Sequence, residues 1–305
     1  MSDTTLSAPP ASDRAALKRD ARRENTFFLS LSLPALILVG LCAMLPILWI
    51  LRQSFLTLRG TPTLDNWSKL LSSDLTWKAV WSTVELSAAT LALCIVLGLP
   101  LALALASASQ RVANRLLIVL MLPLWTSILV RTYGWLVLLR RDGLVNQTLQ
   151  ALGLTDAPLN LVYNFTGTLI GMVHFMLPLF VLPAYAALRD IDANTIRASA
   201  SMGASLPRTL FTVVLPLASG GIRSGAMIVF IYTLGFFITP AILGGGQVNP
   251  IAIRIERTLS TFQNWGAASA LGMLLLILVA LLAGTIAALR FAIVRARKHK
   301  EARHA

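Results

Sequence analysis

Hydrophobic positions in this chain fall into six long runs separated by short polar connections: residues 27–51, 81–106, 116–139, 168–188, 217–243 and 266–294. A helix needs about 20 apolar residues to cross the ~30 Å hydrocarbon core of a bilayer, and every run is long enough. In hydrocarbon the backbone has no water to bond, so each run must satisfy its own amides and carbonyls as a helix. The pattern therefore predicts an all-α membrane protein with six transmembrane helices. The fifth run is the least regular, because Gly220, Gly221, Arg223 and Gly225 crowd its start. The first run is too long for the apolar region of a signal peptide, and no small-residue cleavage site follows it, so it reads as a retained span.

Polar stretches divide the chain further. Residues 1–26 form a polar N-terminal tail with Pro9 and Pro10, residues 27–294 the six-span domain, and residues 295–305 a basic C-terminal tail. The two tails, residues 107–115 and the loop at 189–216 hold most of the Lys and Arg. The positive-inside rule then puts both termini and the 189–216 loop in the cytoplasm.

Composition excludes several classes. The chain has 305 residues, 56% hydrophobic and only 13% charged, against about 25% charged in a soluble domain. Its formal net charge of +13 sits in tails and loops, as in membrane proteins, and gives no case for nucleic acid. Cys42 and Cys94 both lie inside apolar runs and read as small buried hydrophobes. His174, His299 and His304 are too scattered for a metal site, and no cofactor is expected. No G-x-x-x-x-G-K-[ST] occurs, so the chain has no phosphate-cradling loop of its own, and no nucleophile–base arrangement is visible. ATP hydrolysis, if it powers the protein, must come from another subunit.

The most informative polar segment is IDANTIRASASMGASLPRTLFTVVLP, from Ile191 to Pro216. Ala198, Ser199 and Gly203 are small and admit close approach. Gly203 suits a left-handed residue ending a short helix. Ser205 suits the N-cap of the next, with Pro207 in its first turn. The segment predicts a helix, a tight turn and a second helix lying across the membrane surface. Ile191, Ile196, Ala200 and Met202 offer scattered apolar contacts.

This spacing resembles the cytoplasmic signature of ABC importer permeases: EAA, three residues, G, nine residues, I, one residue, LP. Gly203 stands for the glycine, Val213 for the isoleucine, and Leu215-Pro216 for LP. Ala198 matches the first alanine, whereas Arg197 replaces the acidic residue and Ser199 the second alanine. Ala204 and Ser205 complete the turn, and Asp190 and Asp192 lie upstream as alternative negative charges. LPLWTSILVRTYGWLVLLRRDGLVN (122–146) and GFFITPAILGGG (235–246) resemble the third and fifth spans of spermidine/putrescine-type permeases. The resemblance implies the type I ABC importer permease fold with a cytoplasmic coupling helix in the bacterial inner membrane. It implies as partners two ATPase subunits, a second similar permease and an external binding protein. A polyamine is the expected cargo; an opine, an aminophosphonate and ferric iron are the alternatives.

Polar and aromatic residues within the runs are pathway candidates. Ionisable groups at membrane depth are costly and often functional: Glu85, Arg131 and His174 qualify. Arg131 has two candidate partners, a helix carbonyl and Glu85, and His174 reads as a satisfied packing residue. Tyr232, Phe236 and Phe237 would suit an organic cation through their ring faces. Pro240 and Gly244–Gly246 are expected to break the fifth helix. An ion-gradient carrier is the competing transport class, but no internal repeat of the kind carriers show is present.

Overall fold

The computed structural model describes residues 11–301, with side chains for residues 32–285 and Ala288; the tail histidines fall outside those side chains. The chain divides into two compact units, Met1–Gln53 and Ser54–Ala305. The first is essentially one helix, α1 (Ala11–Ser54), with Pro34 and Pro46 inside it. It begins well before the apolar run at residue 27, because Ala, Leu, Lys and Arg in the tail are good helix formers. Its Cys42 is exposed, contrary to expectation, since the apolar side chains of this segment are exposed around the helix.

The second unit contains α2 (Asp65–Leu71), α3 (Asp74–Ser107), α4 (Gln110–Trp125), α5 (Ile128–Leu139), α6 (Leu144–Ala151) and α7 (Phe165–Arg189). Then follow α8 (Ala193–Ser201), α9 (Leu206–Thr209), a π-helical turn at Leu210–Val214, α10 (Leu215–Leu234), α11 (Ile238–Leu243), α12 (Ile251–Ser260) and α13 (Trp265–Glu301). Among the described residues five helices are long and apolar enough to cross a membrane, and a bent pair makes a sixth when its two helices are counted as one span.

Two spans differ from the sequence pattern. The third is broken: α4 and the segment starting at α5 meet at 98°, because Thr126 adopts extended backbone with ψ of 149° and Ser127 leaves the helical region with ψ of 133°. The fifth begins earlier, at Leu206, and ends at Leu234. Its break is at Gly235–Phe237, upstream of Pro240, which sits inside α11. Gly244 caps α11, and Gly245 and Gly246 take positive φ.

The core centres on α7, packed between α3 and α10. Met172, Met176, Phe180, Val181 and Ala184 of α7 are fully buried, with Leu86, Cys94 and Ala102 of α3 and Val229 of α10 in the same cluster. Water expulsion does not drive helices together within lipid, so close backbone approach must. Gly221 and Gly225, one turn apart on α10, face α7. A β-carbon on Gly225 would lie 2.7 Å from the Phe180 carbonyl oxygen, and one on Gly221 would collide with the Pro183 carbonyl. Two of the glycines that make the fifth run irregular, Gly221 and Gly225, are therefore its packing seam.

The two ends of the bundle are fixed by polar ties. At one end Arg189 donates from Nη1 to the carbonyls of Ala106 (2.8 Å) and Ala108 (3.1 Å), and from Nη2 to Gln110 Oε1 (2.8 Å). One side chain thus joins the C-termini of α7 and α3 to the start of α4. At the other end the Ile251 amide donates to Thr83 Oγ1 at 2.9 Å, tying α12 to α3. There Leu70, Ala79, Ile251, Ala270 and Leu271 form a second cluster from α2, α3, α12 and α13.

Candidate functional site

The segment between α7 and α10 folds as a compact elbow at the Arg189 end. Asp192 is the N-cap of α8, its carboxylate accepting from the Asn194 amide at 2.9 Å. It is thus committed to the helix start. Among the described residues no ion pair involves Arg197, which is exposed. The C-terminus of α8 closes as the sequence requires. The Gly203 amide donates to Ala200 O (2.9 Å), the Ala204 amide to Ser199 O (3.2 Å), and Gly203 takes φ +77°. This paired closure around a left-handed residue is what glycine permits.

Ser205 caps α9 by backbone position, without a side-chain hydrogen bond. The second helix of the elbow is not separate. It runs through the π turn into α10, so the elbow is continuous with the fifth span. Pro216 explains the turn. It has no amide to give the Thr212 carbonyl, so the chain widens and the Leu215 amide donates to Leu210 O, five residues back. Val213, Leu215 and Pro216 thus form the joint where the elbow enters the span.

Ser199, read as a departure from the signature, has a structural role. Its hydroxyl lies 2.8 Å from Thr209 Oγ1; both residues are buried, and the pair staples α8 to α9. The sequence could have flagged it only as a hydroxyl pair ten residues apart. Outside the staple, Ile196, Met202, Leu206 and Phe211 are exposed, Met202 at 83% and Leu206 at 85%. An apolar surface stands at the tip.

Deep in the spans, the candidate pathway residues separate into two groups. Arg131, one residue into the second turn of α5, reaches back to the break in the third span. Its Nη2 donates to Thr126 O (2.8 Å) and its Nε to Thr126 Oγ1 (3.3 Å). Its guanidinium carbon lies 4.7 Å from the centroid of the Phe175 ring. Phe175 contacts Phe236 (5.3 Å between centroids) and Tyr232 (6.1 Å), joining α5, α7 and α10. Arg131 Nη1 is buried without a hydrogen-bond partner. Beside it, Trp135 Nε1 donates to His174 Nδ1 at 3.1 Å, which leaves the proton of a neutral imidazole on Nε2.

The other candidates lie apart. Glu85 is exposed on α3, and among the described residues no ion pair joins it to Arg131. Of the two partners considered for Arg131, the carbonyl is the one used. Phe237 sits at the break before α11, outside the three-ring cluster, and Pro240 is buried within α11. Phe175 was missed by sequence reading; it lies half-buried on α7 with no polar signal to mark it. Among the described residues no cluster of His, Cys, Asp or Glu could hold a metal.

The second unit is thus an all-α bundle with a broken third span and an elbow between α7 and α10. The model of the family described as binding-protein-dependent transport system inner membrane component matches residues 94–298, and the chain belongs to that family. It is 31% identical to the spermidine/putrescine transport system permease protein PotB of Haemophilus influenzae over 245 residues, covering 78% of this chain and 85% of the relative. Its fold matches a bacterial ABC transporter that imports the acidic polysaccharide alginate, with TM-score 0.68 at 17% identity over 87% of this chain and 95% of the other. A second structure of an alginate transporter, with its alginate pentasaccharide-bound periplasmic protein, matches at TM-score 0.67 and 17% identity over 86% and 93%. The chain is accordingly a multi-pass inner-membrane permease subunit of the ABC importer type, and not an enzyme.

Proposed function

We propose that this permease imports a polyamine, with both termini and the α8 elbow in the cytoplasm. Two ATPase subunits dock on the exposed Ile196, Met202 and Leu206 surface, a second permease completes the pathway, and an external binding protein delivers the cargo. The observation that carries the cargo is the relationship to PotB, which spans most of both chains. Local chemistry supports it. The Phe175 ring already accepts a cationic side chain on its face, so an ammonium can compete with Arg131 for that face. Closure of the ATPase pair moves the elbow, and its continuity with α10 carries the motion to Tyr232 and Phe236.

A second reading has its own support. The buried Arg131 Nη1 lacks an acceptor, which favours cargo bearing an anionic group, such as an opine or an aminophosphonate. The test is uptake of labelled spermidine and putrescine by cells producing this permease with its ATPase, second permease and binding protein. Uptake that is competed by polyamines and stops on ATP depletion supports the first reading. Competition by carboxylate or phosphonate amines alone supports the second, and uptake that survives ATP depletion on an ion gradient overturns both.

A further inference from the structure

At the end of the bundle away from the elbow, a cavity of about 290 Å³ opens between α3 and the start of α12. From α3 it is lined by Leu75, Lys78 and Ser82, and from the other side by Asn249, Arg254 and Arg257. Three cations converge there with no acidic side chain in the lining. None of the three makes an ion pair among the described residues, and Arg254 Nε is buried with no hydrogen-bond partner. Arg254 also borders a second cavity of about 200 Å³ that adds Lys69. Burial and the neighbouring Arg257 charge push the Arg254 guanidinium below its usual pKa. An arginine does not deprotonate in a protein, so an external anion is the partner that would offset the crowded positive charge. The first turn of α12 adds the partial positive charge of a helix start.

Depth identifies the anion. α3 has 34 residues, about 50 Å at 1.5 Å per residue, whereas about 20 residues cross the hydrocarbon. The helix therefore projects past the hydrocarbon at one end or both. Trp77 and Trp81, exposed at 51% and 69% on its first turns, put that end at headgroup level, where interfacial aromatics gather. Leu75, on the cavity rim, is 62% exposed and offers an acyl chain an apolar path outward. We infer that this cavity holds the phosphate of an anionic phospholipid, gripped by Lys78, Arg254 and Arg257, with Ser82 and Asn249 as neutral hydrogen-bond partners. The lipid would brace α12 against α3, beside the Thr83–Ile251 tie.

The test is native mass spectrometry of the full purified chain in non-ionic detergent, with equal phosphatidylglycerol and phosphatidylcholine added. The wild type should retain phosphatidylglycerol in about tenfold preference, a ratio expected for a few basic contacts. Lys78→Gln with Arg257→Gln should reduce it to the phosphatidylcholine level, while Lys78→Arg with Arg257→Lys keeps it. Circular dichroism and size exclusion establish that both variants fold. Retention unchanged in a folded glutamine variant overturns the inference. So does displacement of the lipid by millimolar inorganic phosphate, which would make free phosphate the ligand.

Discussion

Arg131 places its guanidinium carbon 4.7 Å from the centre of the Phe175 ring while donating to the Thr126 carbonyl at 2.8 Å. One side chain thus couples the break in the third span to the aromatic cluster shared by α7 and α10. Removing either partner should loosen both. A double-mutant cycle of Arg131→Ala and Phe175→Ala, read by equilibrium unfolding in mixed micelles, should give a coupling of about 0.5–2 kcal/mol. Additive single effects would mean the contact carries no energy.

The Ser199–Thr209 staple yields an asymmetric prediction. Ser199→Ala restores the alanine of the family signature, yet it leaves the buried Thr209 hydroxyl without its partner. That should cost about 1–3 kcal/mol, seen as faster hydrogen exchange across residues 193–209. Adding Thr209→Val removes the orphan and should recover most of the loss.

Gly203 is held at φ +77°. Alanine there must enter the left-handed region, which costs roughly 1–2 kcal/mol. ATP-driven uptake should fall, whereas insertion in the membrane should persist. Uptake unchanged in Gly203→Ala would show that the turn geometry is dispensable.

Gly225 admits no side chain without moving α7, since its β-carbon would meet Phe180 backbone at 2.7 Å. Gly225→Leu should lower the melting temperature of the purified protein and broaden its size-exclusion profile. Gly220, with open space around its β-carbon position, should accept alanine with little change. Equal sensitivity at both positions would contradict the packing seam.

Much of this was legible in the residues, for physical reasons that differ by element. Long apolar runs marked the spans because a helix satisfies its own backbone within hydrocarbon. Gly203, Ser205 and Pro207 announced the turn because few residues suit those backbone positions. The broken third span was not legible. Thr126 and Ser127 carry no strong breaker signal, and the bend depends on tertiary ties such as Arg131 to Thr126. Arg189 counted only as one more positive charge, although three acceptors on α3, the α3–α4 junction and α4 converge on it. Gly221 and Gly225 of the fifth run looked like interruptions because a packing seam requires a partner helix, and periodicity along one segment does not reveal it. Phe175 stayed hidden because an aromatic in an apolar run looks the same whether it packs or binds.

Site-directed crosslinking from the elbow to the ATPase subunit decides whether this surface receives the force. In a Cys42→Ser background, Met202→Cys and Leu206→Cys should each crosslink to the ATPase in membranes, with a yield that changes when ATP is added. Arg257→Cys, at the opposite end of the bundle, should give none. Crosslinks from Arg257→Cys with none from Met202→Cys or Leu206→Cys would place the motor at the other end and overturn the coupling role of α8.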